Sequence, residues 1–130
     1  MKSFASGVAL VVISGAANAA WTKVITDAEF TGYADTATAT REGGKARMWE
    51  LDDLKTARQS AQGRTFSSVT TLWEFDCRDK LERMVSVTWH AGQMGTGEIV
   101  QTGNPSPFDW RPIATGSIGE AFFRTACAGK

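Results

Sequence analysis

Few residues of this chain have the types and spacing that chemistry requires. His90 is the only histidine. It could serve as a general base only beside a nucleophile and an orienting group, and no motif places either near it. Asp52 and Asp53 are adjacent, so on a strand they point to opposite faces and cannot share one proton; if the strand ends at Leu51 they cap a turn instead. Gly92, Gly95 and Gly97 are dense enough for a phosphate loop. No Lys lies among them, however, and the residues that follow read as a strand rather than as a helix N-terminus, so hairpin chemistry is the expectation. Two Cys and one His cannot build a four-ligand zinc site without carboxylates. The expectation is a non-enzymatic protein with no cofactor and no metal.

The charges point the same way. Lys plus Arg number 14, as do Asp plus Glu, for a net charge of zero. A near-neutral chain lacks the basic field that nucleic-acid binding needs. The one local excess lies between Arg41 and Arg64. There Arg41, Lys45, Arg47, Lys55, Arg58 and Arg64 face only four acidic residues. That segment is a candidate protein-binding surface, although mixed charge on a strand is more often a solvated face. Trp49 and Trp110 are candidate interface anchors, because tryptophan is enriched at binding hot spots. Aliphatic residues are scarce, so burial in the core is the expectation for most of the five tryptophans.

The first 19 residues read as a secretory leader. Met1-Lys2 gives a positive start, Phe4 to Ile13 an apolar run, and Ala17-Asn18-Ala19 the small residues that a signal peptidase reads, with cleavage expected before Ala20. The run is about half the roughly 20 residues a membrane span needs, and no second long apolar run follows. No Cys lies near the cleavage point for a lipid anchor. The expectation is a soluble periplasmic or secreted domain over residues 20–130. In an oxidising compartment an even pair of cysteines forms a disulfide, here Cys77 with Cys127.

The rest of the chain must position these residues, and period-2 alternation dominates it. Strands are expected over Trp21–Thr26, from Gly32 to Arg41, over Lys45–Leu54, Thr65–Asp76 and Leu81–His90, and at Glu98–Gln101. Val69, Thr71, Trp73, Phe75 and Cys77 share one face of the fourth, while Glu74 and Asp76 lie on the wetted face. Leu81, Val85, Val87 and Trp89 share the inner face of the fifth. Lys55–Arg64 has no period and reads as an exposed loop. So does Gly103–Asp109, which contains Pro105 and Pro107. Ser117-Ile118-Gly119-Glu120 has the form of a capping box, and Ile118, Ala121, Phe122 and Thr125 then fall on one helical face. The fold class is α+β: a single antiparallel meander sheet of about six strands, with one C-terminal helix packed on one face and tied to the sheet by the disulfide.

The order of these segments resembles the surface-adhesin protein E family of bacterial envelope proteins. The residues that carry the resemblance begin with Trp21, Tyr33-Ala34-Asp35, Gly43-Gly44 and Met48-Trp49-Glu50-Leu51. They continue with Glu74-Phe75-Asp76-Cys77 and Gly92-Gln93-Met94-Gly95-Thr96-Gly97-Glu98. Trp110-Arg111-Pro112-Ile113, Gly116-Ser117-Ile118-Gly119-Glu120 and Ala126-Cys127 complete the set. The resemblance implies an envelope location and, after the founding adhesin, binding to host extracellular-matrix or serum proteins. It departs from the lipid-anchored founding type in having no leader cysteine. The alternative from a different class is an envelope inhibitor or small-ligand-binding module with no host partner, which a deep tryptophan-lined pocket would favour. Exposed strand edges leave pairing into a homodimer open.

Overall fold

The structure, a computed structural model, describes residues 20–104 and 109–128. The expected leader and the middle of the proline loop, residues 105–108, lie outside the described residues. The strands are β1 (Trp21–Thr26), β2 (Phe30–Glu42), β3 (Lys45–Gln59), β4 (Thr65–Asp76), β5 (Leu81–His90), β6 (Ile99–Gly103) and β7 (Arg111–Pro112). One helix, α1 (Ile118–Ala128), follows. From β1 to β6 each strand pairs antiparallel with its sequence neighbour, and β7 adds a short pairing to the start of β5.

The turns follow from local chemistry. At the β1–β2 turn, Asp27 Oδ1 accepts the backbone N–H groups of Glu29 and Phe30 at 2.8 and 3.0 Å. Asp76 does the same for Arg78 and Asp79 at the β4–β5 turn. Asn and Asp favour turns through such side-chain-to-backbone bonds. Gly43, at φ +64°, supplies the left-handed residue of the β2–β3 turn.

The helix lies across β1 to β4 on one face of the sheet. Phe122 and Ala126 pack there with Ala34, Ala46, Met48 and Phe75, and Trp73, Phe123 and Ile118 surround this core. Ser117 Oγ accepts the Glu120 N–H at 3.1 Å, as a capping box requires. Glu120 reaches back one residue further than the simple box, its Oε1 accepting the Gly116 N–H at 2.7 Å. Of the expected face Ile118, Ala121, Phe122 and Thr125, Phe122 is buried and Ile118 packs against the core, while Glu120 and Ala126 are buried where Ala121 and Thr125 were expected. The Thr125 hydroxyl instead donates to its own helix at Ala121 O. Cys77 and Cys127 are joined with their α-carbons 5.7 Å apart, which pins the last turn of α1 to the end of β4.

Three other expectations are corrected. Lys55–Gln59 is the end of β3 rather than a loop, and only the turn after it is irregular. A register shift between Asp53 and Arg58 carries the strand past the end of the core. Every side chain from Lys55 to Gln59 is exposed there, so no periodicity marks the strand in the sequence. On β5, Val85 is skipped by the β4 pairing: Ser86 faces Leu72, and Met84 faces Trp73. This bulge reverses the alternation, so Leu81 and Val87 do not share a face. Finally, none of the five tryptophans is among the buried core residues.

The opposite face of the sheet is partly covered as well. The β5–β6 connection folds back over it through a 3-10 turn at Gln93–Gly95. Ser68, fully buried, donates its hydroxyl to Gly92 O and accepts the Gly95 N–H.

Candidate functional site

The glycine segment spends its donors inward. Besides the Gly95–Ser68 bond, the Met94 N–H goes to Asp53 Oδ1 at 2.7 Å, and the Gly92 N–H goes to Thr96 O at 2.9 Å. These three amides are thereby not free to form a nest for a phosphate. Met94 holds φ +56°, unusual for a residue with a side chain, and its side chain is exposed.

His90 shares a 2.9 Å hydrogen bond with Thr70 Oγ1. Burial lowers its pKa, which keeps the ring neutral at neutral pH. Among the described residues no carboxylate hydrogen-bonds the ring, so the third member of a triad is not in place. Nor do three His, Cys, Asp or Glu side chains converge as metal ligands among the described residues. Asp52 and Asp53 do face opposite ways, Asp53 toward the glycine loop. On the helix side of the sheet, however, Asp52 is paired with a residue that the sequence reading passed over. Glu50 lies two positions earlier on β3 and shares that face. Burial pushes the Glu50 carboxyl well above the usual range, and the neighbouring Asp52 and Glu82 carboxylates push it further. Asp52 is raised as well, chiefly by burial. Asp52 Oδ1 and Trp73 Nε1 are buried without a hydrogen-bond partner among the described residues.

A polar constellation lies on the helix-free face, at the end of the sheet where β2 turns into β3. Arg47, Glu74 and Arg83 form a row across β3, β4 and β5, each opposite the next in register. Arg83 Nε and Nη2 contact Glu74 Oε1 at 2.9 and 2.8 Å, and Arg47 Nε lies 3.7 Å from Oε2. Lys45, two residues before Arg47, lies 4.0 Å from Asp76. The ring of Trp110 is half-buried beneath these cations, with the Arg83 guanidinium 4.2 Å and Lys45 Nζ 5.7 Å from its centroid. Glu74 was expected on a wetted face; the two arginines close over it and leave it buried.

The six candidate cations therefore do not form one surface. Lys45 and Arg47 come together. Arg41 donates to the Cys127 carbonyl at the C-terminal end of α1, 2.8 Å away. Lys55 and Arg58 are at the far end of β3, where Lys55 donates to Asp27 O and Arg58 pairs with Glu29 at 2.8 Å. At a rise of about 3.3 Å per residue, Arg58 is roughly 40 Å from Lys45. Arg64 donates to Val100 O and lies 3.7 Å from Glu98. The sequence reading missed Arg83, whose place beside Arg47 depends on the register of two strand pairs. Trp110 was singled out, and it is the aromatic that joins the cations.

Comparison with known proteins agrees with this architecture. No curated protein sequence matches the chain. Two structures of Haemophilus influenzae protein E superpose with TM-scores of 0.63 and 0.65, at 10% and 13% identity, each covering 91% of this chain and 91% of theirs. A structure of protein E from non-typeable Haemophilus influenzae gives 0.62 at 10% identity, over 91% of this chain and 82% of that one. At such identities the likeness is one of fold. The family model for surface-adhesin protein E matches residues 21–128, from the first strand to the last turn of the helix, and by that match this chain belongs to the surface-adhesin protein E family.

Proposed function

We propose that this chain is an exported, non-enzymatic binding domain of the bacterial envelope that docks host extracellular-matrix or serum proteins on the helix-free face of its sheet. The observation that carries the proposal is the Arg47–Glu74–Arg83 row with Trp110 beneath it. Both arginines lie against one shared carboxylate, and the row joins an aromatic ring to partly exposed guanidinium groups, residue types enriched at binding hot spots. Family membership supports the adhesive class. The small-ligand alternative gains nothing from the geometry. The recess at this end of the sheet is lined by Thr40, Glu42, Lys45, Ala46, Arg47 and Glu74, with no tryptophan. A second recess, at the other end, is lined by Ala28, Glu29, Thr56, Ala57 and Arg58.

The test is surface plasmon resonance against a panel of immobilised host matrix and serum proteins. Retention with a micromolar Kd by at least one member is the expected result. Flat traces across the panel would remove the adhesive role.

A further inference from the structure

Resting on that reading, we propose that the partner element taken by this face is an extended acidic peptide segment, with carboxylates at alternate positions lying along Lys45 and Arg47.

The argument begins with which charges reach the surface. The side chains of Arg47, Lys45 and Arg83 are 50%, 45% and 32% exposed, while the carboxylates that hold them, Glu74 and Asp76, are 11% and 15% exposed. The acids sit beneath and fix the bases; the bases face outward. The face therefore offers positive charge to a partner, even though its ion pairs nearly balance.

The spacing selects the partner. Lys45 and Arg47 are alternate residues of one strand, so their side chains leave the sheet about 6.6 Å apart. An extended peptide repeats its same-side side chains at that distance, so two of its carboxylates match the two cations in register. Arg83 is two strands away, roughly 10 Å across the sheet, within reach of a third carboxylate or the peptide's own carbonyls. Its guanidinium carries five N–H donors, more than the Nε and Nη2 contacts with Glu74 use. The Arg83 guanidinium lies over the Trp110 ring, 4.2 Å from its centroid, which disfavours stacking of a sugar ring in its place. Glu42, exposed on β2 opposite Lys45, bounds the cationic strip and repels an acidic chain that runs past it.

The experiment is titration calorimetry of the full domain with a synthetic peptide of alternating glutamate and threonine, at about 50 and 300 mM salt. A lysine–threonine peptide and a sulfated oligosaccharide are the comparisons. The acidic peptide should bind, and more weakly at the higher salt because rim charges are screened. The double variant K45E/R47E, at exposed positions that leave the core untouched, should weaken it about tenfold or more. Arg58→Glu, at the far end of the same strand, should leave it unchanged. No binding, equal binding of the lysine peptide, tighter binding of the oligosaccharide, or an undiminished K45E/R47E variant would each overturn the proposal. The two readings fail separately. A host protein retained equally by the wild type and K45E/R47E removes the acidic segment and keeps the adhesive role. A bound peptide with no host protein retained does the reverse.

Discussion

At the scale of single residues, Glu50 and Asp52 show how burial rewrites ordinary acid chemistry. The pleat aims both side chains at one face, and Glu50 is among the buried residues, so a protonated Glu50 is favoured over two neighbouring charges. A carboxyl raised in the folded state contributes stability that is fully present below its unfolded pKa of about 4 and is lost as pH rises through the raised value. Urea unfolding of the wild type should therefore show falling stability from about pH 4 upward through that value. Glu50→Gln, which cannot ionise, should be flatter with pH and more stable at pH 8 by about 1–3 kcal/mol, the scale of a buried polar group in an unfavourable state. Equal slopes in the two proteins would rule the raised Glu50 carboxyl out. The pair was open to reading in the sequence, because same-face i, i+2 spacing on a strand is a rule. The adjacent Asp52 and Asp53 are the more conspicuous pair, but their side chains part to opposite faces. Arg83 was not open to such reading, since nothing local in the sequence tells which residue of β5 will stand beside Glu74.

At the scale of elements, the seam between helix and sheet is closed on both sides. A methyl group added at Gly32 would sit 2.8 Å from Phe122 Cζ and 3.3 Å from Ile25 Cγ2, inside van der Waals contact. Gly32→Ala should cost about 1–3 kcal/mol through overpacking, measured as a lower urea midpoint with an unchanged m-value. An unchanged midpoint would mean that α1 rides more loosely than its packing shows. The second closure is covalent. Cys77–Cys127 spans a sequence separation of 50, and the loop-closure estimate for it is about 4 kcal/mol. The double substitution of both cysteines to alanine should lose stability of that order, and reductant should produce the same loss in the wild type and none in the double variant. The helix, the disulfide and the meander order were legible because each has a strong local or compositional sign: a capping box, an even cysteine pair in an exported chain, and alternation broken by turn residues. The bulge at Val85, the extension of β3 to Gln59 and the added strand β7 were not. They are settled by how neighbouring strands align, and a one-residue slip leaves no mark in composition.

At the scale of the whole molecule, the ion pairs are sorted along the sheet. Toward the disulfide end, the cation is the more exposed partner in six ion pairs of the described residues: Lys45–Asp76, Arg47–Glu74, Arg83–Glu74, Arg111–Glu82, Lys80–Glu120 and Arg124–Glu120. At the opposite end the order reverses, and Glu29 and Glu98 are more exposed than Arg58 and Arg64. Among the described ion pairs of a chain with a formal net charge of zero, the more exposed charge is thus positive toward one end of the sheet and negative toward the other. Such a molecule meets a charged surface by orientation rather than by net charge, and the effect is confined to low salt, where the Debye length of about 10 Å at 0.1 M or longer spans a patch. The domain should therefore be retained on a cation-exchange resin at pH 7.5 and about 20 mM salt, conditions under which a uniformly mixed neutral surface would pass through. Two charge-reversal variants with the same net charge separate the explanations. K45E/R47E should elute markedly earlier than the wild type, whereas K55E/R58E, altered at the negative end, should elute close to it. Equal shifts in the two variants would show that net charge alone governs retention, and the sorted ends would then have no reach beyond their own ion pairs.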